Sequence, residues 1–418
     1  MRSLSEALAW VYALEPRGIR YELERVRAAL ALLGDPGRGL RVVHIAGTNG
    51  KGSVAAMVER GLRAAGLRTG LFTSPHLHRF AERIRISGRP IADERIVRGL
   101  ADLRRRLDAP GAPALTFFEV TFLLALRAFR ASRVDAVVLE TGLGGRLDAT
   151  NAVGDVVVSV ITTLSLDHTD MLGPDITDVA REKAGIVRRA TPLVCGVTDP
   201  VALAVVLEAA AELDAPVALL GRDVKALPDG LRPALAGDHQ RTNAALAIAT
   251  LETFARRTAT AIGPEALASA VCDVRWPGRL ELVRASRQRP DVLLDAAHNP
   301  EGATALAAYV RSLEALPSRT ALVLGAQSTK DVTSILRVLE PIAEHRFYVP
   351  APVRRGIDPR ALAAIVGGDV HASVPDALAA AFRRVGRHGL VVVAGSIFVM
   401  GAARAHLLGV PTDPPIAM

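Results

Sequence analysis

Short apolar runs recur along the chain and alternate with stretches of helical period. They read RVVHIA (41–46), RTGLFT (68–73), DAVVLE (135–140), DVVVSVIT (155–162) and TPLVCG (191–196) in the first two thirds. DVLLDA (291–296), TALVLGA (320–326), HRFYVP (345–350) and GLVVVAG (389–395) follow in the last third. Each run is rich in Val and Leu and is followed by Gly, Ser, Asp or Asn before an amphipathic segment. Continuously apolar strands separated by helices predict an α/β fold with parallel sheets covered on both faces. Ligands of such sheets bind at the carboxyl ends of the strands. A Pro-Gly turn and a polar stretch, RWPGRLELVRASRQRPD (275–291), precede a fresh series of strands. Two units follow from this, residues 1–284 and 285–418, and 418 residues are too many for one ordinary core.

Composition narrows the classes. Half of the residues are hydrophobic and 22% are charged, which describes a folded chain and not a disordered one. The formal charge of +8 raises the question of nucleic acid, but only 4% of residues are aromatic and no basic run is interleaved with them. Base stacking has little to work with, so no nucleic-acid partner is expected. Two cysteines, Cys195 and Cys272, make no metal or redox pattern and suit a reducing compartment. The longest uncharged stretch, Gly389 to Ala403, is shorter than the ~18 residues of a spanning helix. The N-terminal MRSLSEALAWVYAL carries Glu6 and is not a basic-then-apolar leader. A cytoplasmic protein without a membrane partner is expected.

Among 51 basic residues only four are lysines: Lys51, Lys183, Lys225 and Lys330. Where arginine is the default, a surviving lysine invites the question of what a guanidinium cannot do. It can serve as a compact point charge, or lose its proton and become a nucleophile. Chance survival is the alternative, and the polar surroundings of Lys225 favour it there.

The stretch HIAGTNGKGS (44–53) joins a predicted strand to a predicted helix. Its glycines allow backbone N–H groups to converge on phosphate oxygens at the positive end of the helix. Lys51 would add a mobile charge and Ser53 a hydroxyl, although the spacing departs from the usual phosphate loop. Glu140 ends another strand, where an acid can hold Mg²⁺ beside a phosphate loop, and the glycines 142, 144 and 145 tighten the turn that follows. Asp167 and His168 stand past a third strand. Lys183 sits in REKAGI, where a helical lysine is ordinarily a solvated charge. Asn243 heads a helical pattern, a position that suits an N-cap as well as a ligand. Arg279 lies at the inter-unit boundary, and Asp295 and His298 follow the first strand expected in the second unit. Each has an ordinary structural reading; their joint placement at strand ends favours a site.

Taken in order, these stretches resemble the folylpolyglutamate synthase/dihydrofolate synthase family of Mur-ligase-like, ATP-dependent amide ligases. The matching motifs are GTNGKGS (47–53), SPHL (74–77), ERIRI (82–86), FFE (117–119), GLGGRLDATN (142–151) and LDHT (166–169). REKAGI (181–186), PGRLE (277–281) and DAAHNP (295–300) complete the series, which runs from about Leu23 to Ser396. The resemblance implies an N-terminal P-loop-type Mur-ligase central domain with a largely parallel sheet and a C-terminal Rossmann-like domain. It implies ligation of L-glutamate to dihydropteroate or a reduced folate through an acyl phosphate, with ATP going to ADP and phosphate. Thr48, Asn49, Gly50, Lys51, Gly52 and Ser53, with Asn243, Arg279 and Asp295, would then bind ATP. Ser74, Glu140 and His168 would ligate Mg²⁺, with two ions expected, and the same likeness allows a monovalent cation. Phe118, Glu119, Leu147, Asp148 and Ala149 would meet the substrate. Lys183, His168, Asp295 and His298 would take part in catalysis, with Lys183 carbamylated. The family habit is a monomer. Two places depart from the pattern: Arg20-Tyr21-Glu22 stands where members carry an apolar or Gly-containing stretch, and GAQSTKDV (325–332) lacks an Asp before Lys330-Asp331.

Two other readings compete. A Mur-type ligase acting on a cell-wall nucleotide usually begins with a separate substrate domain, whereas here the phosphate loop starts after 46 residues. A nucleotide-switched binding protein would need neither Asp295 and His298 nor a lysine suited to carbamylation.

Overall fold

The computed structural model describes residues 1–14, 22–228, 230–287, 289–353 and 355–414, and they fold into two compact α/β units. The first unit comprises Met1–His76, Phe80–Ala234 and Arg241–Val274; the second comprises Leu77–Arg79, Leu235–Gln240 and Arg275–Met418.

In the first unit the strands are β1 (Arg41–Ala46), β2 (Thr69–Phe72), β3 (Ile84–Ile86), β4 (Arg89–Pro90), β5 (Ala136–Glu140), β6 (Val156–Ile161), β7 (Leu193–Cys195) and β8 (Val217–Leu219). They form one sheet in the order β4-β3-β2-β5-β1-β6-β7-β8. The run from β2 to β8 is parallel, and β3 and β4 add an antiparallel edge. Val42 to Ala46 of β1 are all buried, because β5 and β6 flank the strand and helices cover both faces. The backbone of β1 is therefore held on both sides, and the loop that leaves its carboxyl end starts from a fixed point. The helix after it, Lys51–Ala64, packs so closely on Pro264–Cys272 that a Cβ on Gly61 would reach Ala270 Cβ at 3.0 Å.

The carboxyl ends of four neighbouring strands, β2, β5, β1 and β6, carry Ser74, Glu140, Gly47 and Thr162 respectively. The β1-to-β2 connection runs to one side of the sheet and the β6-to-β7 connection to the other. That reversal of winding opens the crevice where α/β sheets take their ligands.

In the second unit β9 (Glu281–Val283), β10 (Asp291–Leu294), β11 (Thr320–Leu324), β12 (His345–Tyr348), β13 (Asp369–Val370) and β14 (Leu390–Ala394) form a sheet ordered β13-β12-β11-β14-β10-β9. All pairs are parallel except β9 with β10. β9 precedes residue 285, where the sequence pattern starts the second unit, yet it pairs with β10. The turn before it, carrying Arg279, thus belongs to the second unit.

Glu119 clamps two helices of the first unit together. It closes a capping box on Phe117–Ala131, Oε2 accepting from Thr116 N at 2.7 Å and Thr116 Oγ1 at 2.9 Å. Its Oε1 accepts from Arg25 Nε and Nη2 at 2.9 and 2.7 Å, which ties down the helix Glu24–Leu32. Glu119 is buried and Arg25 half-buried. The Arg25→Met variant strands the Glu119 carboxylate, an arrangement that costs about 3–5 kcal/mol. A lowered thermal midpoint is expected in calorimetry, and an unchanged midpoint would show that the pair contributes nothing net.

Candidate active site

The loop after β1 makes its turn with Gly47 at φ 148° and Gly50 at φ 84°, both in left-handed territory that disfavours side chains. A Cβ on Gly47 would strike the Thr162 side chain, and one on Gly50 would sit 2.5 Å from Asn243 Oδ1. The loop after β6 holds it in place. Thr48 N donates to Thr163 O at 2.7 Å, and Thr162 Oγ1 donates to Asn49 O at 2.6 Å. Thr48 Oγ1 both accepts from Ser165 N and donates to Ser165 O. Gly52 and Ser53 fall in the first turn of Lys51–Ala64, so their N–H groups lie at its positive end. Lys51 Nζ folds onto Gly47 O at 2.9 Å and Thr48 O at 3.1 Å.

Lys183 is buried, not a solvated helical charge. Its Nζ donates to the same Gly47 carbonyl at 2.8 Å. The helix that bears it, Ile176–Ala184, is fastened to the glycine-rich loop after β5. Arg146 Nε and Nη2 reach Glu182 Oε1 at 3.0 and 2.6 Å, while Asn151 Nδ2 bridges Arg146 O and Gly185 O. Asn243 lies more than a turn inside the helix Asp238–Thr258, so the N-cap reading fails and its amide faces Gly50 instead.

Glu140 and Ser74 come together at adjacent strand ends, Glu140 Oε2 accepting from Ser74 N at 3.1 Å. Near them Arg83 is fully buried, its Nε on His76 Nδ1 at 2.8 Å and its guanidinium 5.0 Å from the Phe117 ring centroid. Burial pushes its pKa down to about 10, countered by Tyr12, Glu140 and Glu82, so it is a cation at neutral pH. His168 caps a short helix from a left-handed φ of 53°, with Nε2 4.0 Å from Asp167 Oδ2. Among the described residues no three His, Cys, Asp or Glu side chains form a metal-holding group. Mg²⁺ does not require one, since it keeps several waters and leans on one or two carboxylates and on substrate phosphates. A buried carboxylate beside a phosphate loop fits that habit.

The residues expected to meet substrate divide in two. Phe118 packs tilted against Phe72 with ring centroids 5.6 Å apart, Leu147 is half-buried and Ala149 lies in a short 3-10 turn. Glu119 and Asp148, by contrast, are engaged by their own loops. Asp148 Oδ2 accepts from Gly142 N and Leu143 N at 2.9 and 3.0 Å; Oδ1 accepts from Thr150 N at 3.0 Å and Thr150 Oγ1 at 2.5 Å. Burial raises the pKa of this carboxyl and these four donors oppose the rise.

His44, in the middle of β1, completes that cluster. Its Nε2 lies 2.8 Å from Thr150 Oγ1, whose own proton is given to Asp148, so Nε2 is the protonated nitrogen. Nδ1 is buried without a partner, an arrangement that costs roughly 1–3 kcal/mol.

In the second unit Asp295 is also engaged by backbone, Oδ2 with Leu280 N and Oδ1 with Ala297 N, both at 2.8 Å. Burial raises its pKa, opposed first by Arg279, whose charge lies close; His239 is a further neighbour. His298 donates from Nδ1 to Ala296 O at 2.9 Å, which orients the ring. Asp331 N-caps the helix Val332–Leu339. Of the departure at Arg20-Tyr21-Glu22, Arg20 and Tyr21 lie outside the described residues, and Glu22 Oε2 is 3.7 Å from Arg25 Nη1. Sequence reasoning missed Arg83, Thr162 and His44. The signal for His44 was one polar letter within an apolar run.

Comparison with known proteins defines the class first. Residues 45–229 match the Mur ligase middle domain and residues 278–397 the Mur ligase glutamate ligase domain. The chain is 37% identical over 361 residues to dihydrofolate synthase/folylpolyglutamate synthase of Bacillus subtilis, covering 81% of this chain and 83% of that one. Folylpolyglutamate synthase of Mycobacterium tuberculosis, complexed with ADP and AMPPCP, superposes with a TM-score of 0.89 at 34% identity, over 98% of this chain and 100% of that one. Escherichia coli FolC in complex with DHPP and ADP gives 0.84 at 31% identity, over 96% of each chain. The chain belongs to the dihydrofolate synthase/folylpolyglutamate synthase family, ATP-dependent glutamate ligases built on the Mur ligase fold.

Burial of His44, aided by the charge of Arg188, pushes its pKa down to about 3 from the ordinary 6.5. Below pH 6.5 the unfolded chain binds a proton that the folded chain refuses until about pH 3. Stability is therefore lost as pH falls through that window, by up to roughly 1.4 kcal/mol per pH unit. The His44→Gln variant lacks this titration and should show a shallower loss in urea unfolding between pH 7 and 4. Parallel curves for the two proteins would mean that His44 accepts its proton in the folded state.

Proposed function

We propose that this chain joins the amine of L-glutamate to the carboxylate of dihydropteroate or of a reduced folate, converting ATP to ADP and phosphate. One observation carries the reading: the phosphate loop and the Glu140–Ser74 pair leave the carboxyl ends of the neighbouring strands β1, β5 and β2, and the buried Lys183 reaches the same loop at Gly47. The acid's carboxylate attacks the γ-phosphate to give an acyl phosphate and ADP. The amine of glutamate then attacks the acyl carbon and phosphate leaves. Both steps bring anions together, so fixed cations are a physical requirement.

The N–H groups of Gly50 to Ser53 and the Lys51 ammonium hold the phosphates, with Asn243 against the loop. Ser74, Glu140 and His168 would hold Mg²⁺, in two sites, which neutralises phosphate charge when bound. Lys183 Nζ loses a proton, its free amine bonds to CO₂ and the adduct loses a second proton, giving a carbamate that would turn a cation into an anion near that metal. Arginine cannot do this. Arg279 and Asp295 bind ATP, Asp295 and His298 take part in catalysis, and the same chemistry allows a monovalent cation. Arg83 offers a buried positive charge to the acid, while Phe118, Leu147 and Ala149 supply apolar surface. The enzyme works as a cytoplasmic monomer, and the free cysteines Cys195 and Cys272 suit a reducing compartment.

The test is mass spectrometry of products formed with ATP, Mg²⁺ and L-glutamate, with dihydropteroate and tetrahydrofolate in separate tubes. A gain of one glutamate in both tubes makes the enzyme bifunctional, and a gain in one names its reaction. No gain in either, with ATP bound, would assign the site to another acid. The Lys183→Arg variant should keep its fold and lose at least about 100-fold in kcat, the scale of one preorganised charge; near-normal turnover would remove the carbamate role. Glu140→Ala should shift the Mg²⁺ titration of activity to higher concentration, and an unchanged titration would remove it as a ligand.

A further inference from the structure

We infer that His44, through Thr150 and Asp148, positions the glycine-rich loop that receives the acid substrate. The inference rests on the proposed role of residues 147–149 toward that acid. Its geometry is a continuous chain of hydrogen bonds: His44 Nε2 donates to Thr150 Oγ1 at 2.8 Å, Thr150 Oγ1 donates to Asp148 Oδ1 at 2.5 Å, and Asp148 Oδ2 accepts from the N–H groups of Gly142 and Leu143. The chain begins on a strand paired on both sides and ends on the loop that follows β5.

A histidine serving only to fill the core would be better replaced by an apolar residue, because Nδ1 is buried without a partner. What an apolar residue would not supply is the donor to Thr150. Without it the Thr150 hydroxyl loses its partner on the strand side, and its grip on Asp148 is no longer directed from β1. Loss of the side chain leaves β1 itself in place, since ladders to β5 and β6 hold its backbone on both sides. The phosphate loop, continuous with β1, should therefore keep its shape, and the effect should fall on the acid and not on ATP.

Glutamate ligation by the full-length enzyme, with the acid and ATP varied in turn, tests this. His44→Phe keeps a ring without the donor, Thr150→Val keeps the shape without the hydroxyl, and His44→Gln restores an amide donor. Each of the first two should raise KM for the acid about five- to tenfold, the latter equivalent to 1.4 kcal/mol, with KM for ATP within about twofold. The double variant should be no worse than the poorer single one, because both break one chain. His44→Gln should return the acid KM to within about twofold of the parent. Multiplying effects in the double variant, or an equal rise in KM for ATP, would overturn the inference. If His44→Phe does not fold, as judged by ADP binding, Thr150→Val and Thr150→Ser carry the comparison: only the serine, which keeps the hydroxyl, should retain the parent KM. A parent enzyme that ligates no glutamate would instead defeat the functional reading, and an active parent with unmoved acid KM defeats this one.

Discussion

The carbonyl of Gly47 is the point on which the first unit turns. It lies one residue past β1, it belongs to a residue with φ 148°, and it accepts both Lys51 Nζ and Lys183 Nζ. One oxygen thus ties the phosphate loop to a helix that arrives 136 residues later in the chain. Two ammonium groups brought to one acceptor repel each other, and the carbonyl dipole they share offsets part of that repulsion. In the proposed mechanism carbamylation reverses the sign of one partner and converts the repulsion into attraction. The arrangement needs Gly47 to have no side chain, because Thr162 fills the space where one would lie.

The order of strands explains why such distant residues meet. β1 lies between β5 and β6, and β2 lies beyond β5, so the four functional loops leave neighbouring strand ends even though their residues span 47 to 168. Parallel strands deliver every loop to the same edge, and the reversal of winding leaves that edge uncovered. The short antiparallel additions, β3-β4 in one sheet and β9 in the other, sit at the sheet margins and do not disturb it.

Much of this was legible in the sequence. All nine apolar runs contain strands, because a strand buried on both faces has to be apolar throughout. β3, β4, β8, β9 and β13 escaped notice: two or three residues at or near a sheet edge carry no clear period. The site was legible as a set of strand-end residues but not as a set of roles. Glu119, Asp148 and Asp295 read as chemistry, yet the structure gives both oxygens of each to neighbouring donors. Spacing along a chain says that an acid follows a strand and does not say which N–H groups will reach it. Asn243 read equally as cap and ligand because its helix starts five residues earlier than the apolar period suggested.

Those three carboxylates indicate how the loops hold their shape. A glycine-rich loop is entropically costly to order and has few side chains with which to fix itself. A buried carboxylate that collects several backbone N–H groups supplies the missing constraint, and the donors offset its loss of hydration. Asp148 does this for Gly142–Thr150 and Asp295 does it for the loop after β10, in each sheet next to a strand whose backbone is fixed on both sides. Glu140 accepts instead from Ser74 N–H on the neighbouring strand end and lies within the field of Arg83. A carboxylate that braces a loop must stay where its donors are, whereas one that meets a metal and phosphate has to keep lone pairs directed at them. On the proposed mechanism, acids of similar appearance in the sequence thus take two jobs, Asp148 and Asp295 as braces and Glu140 as a ligand.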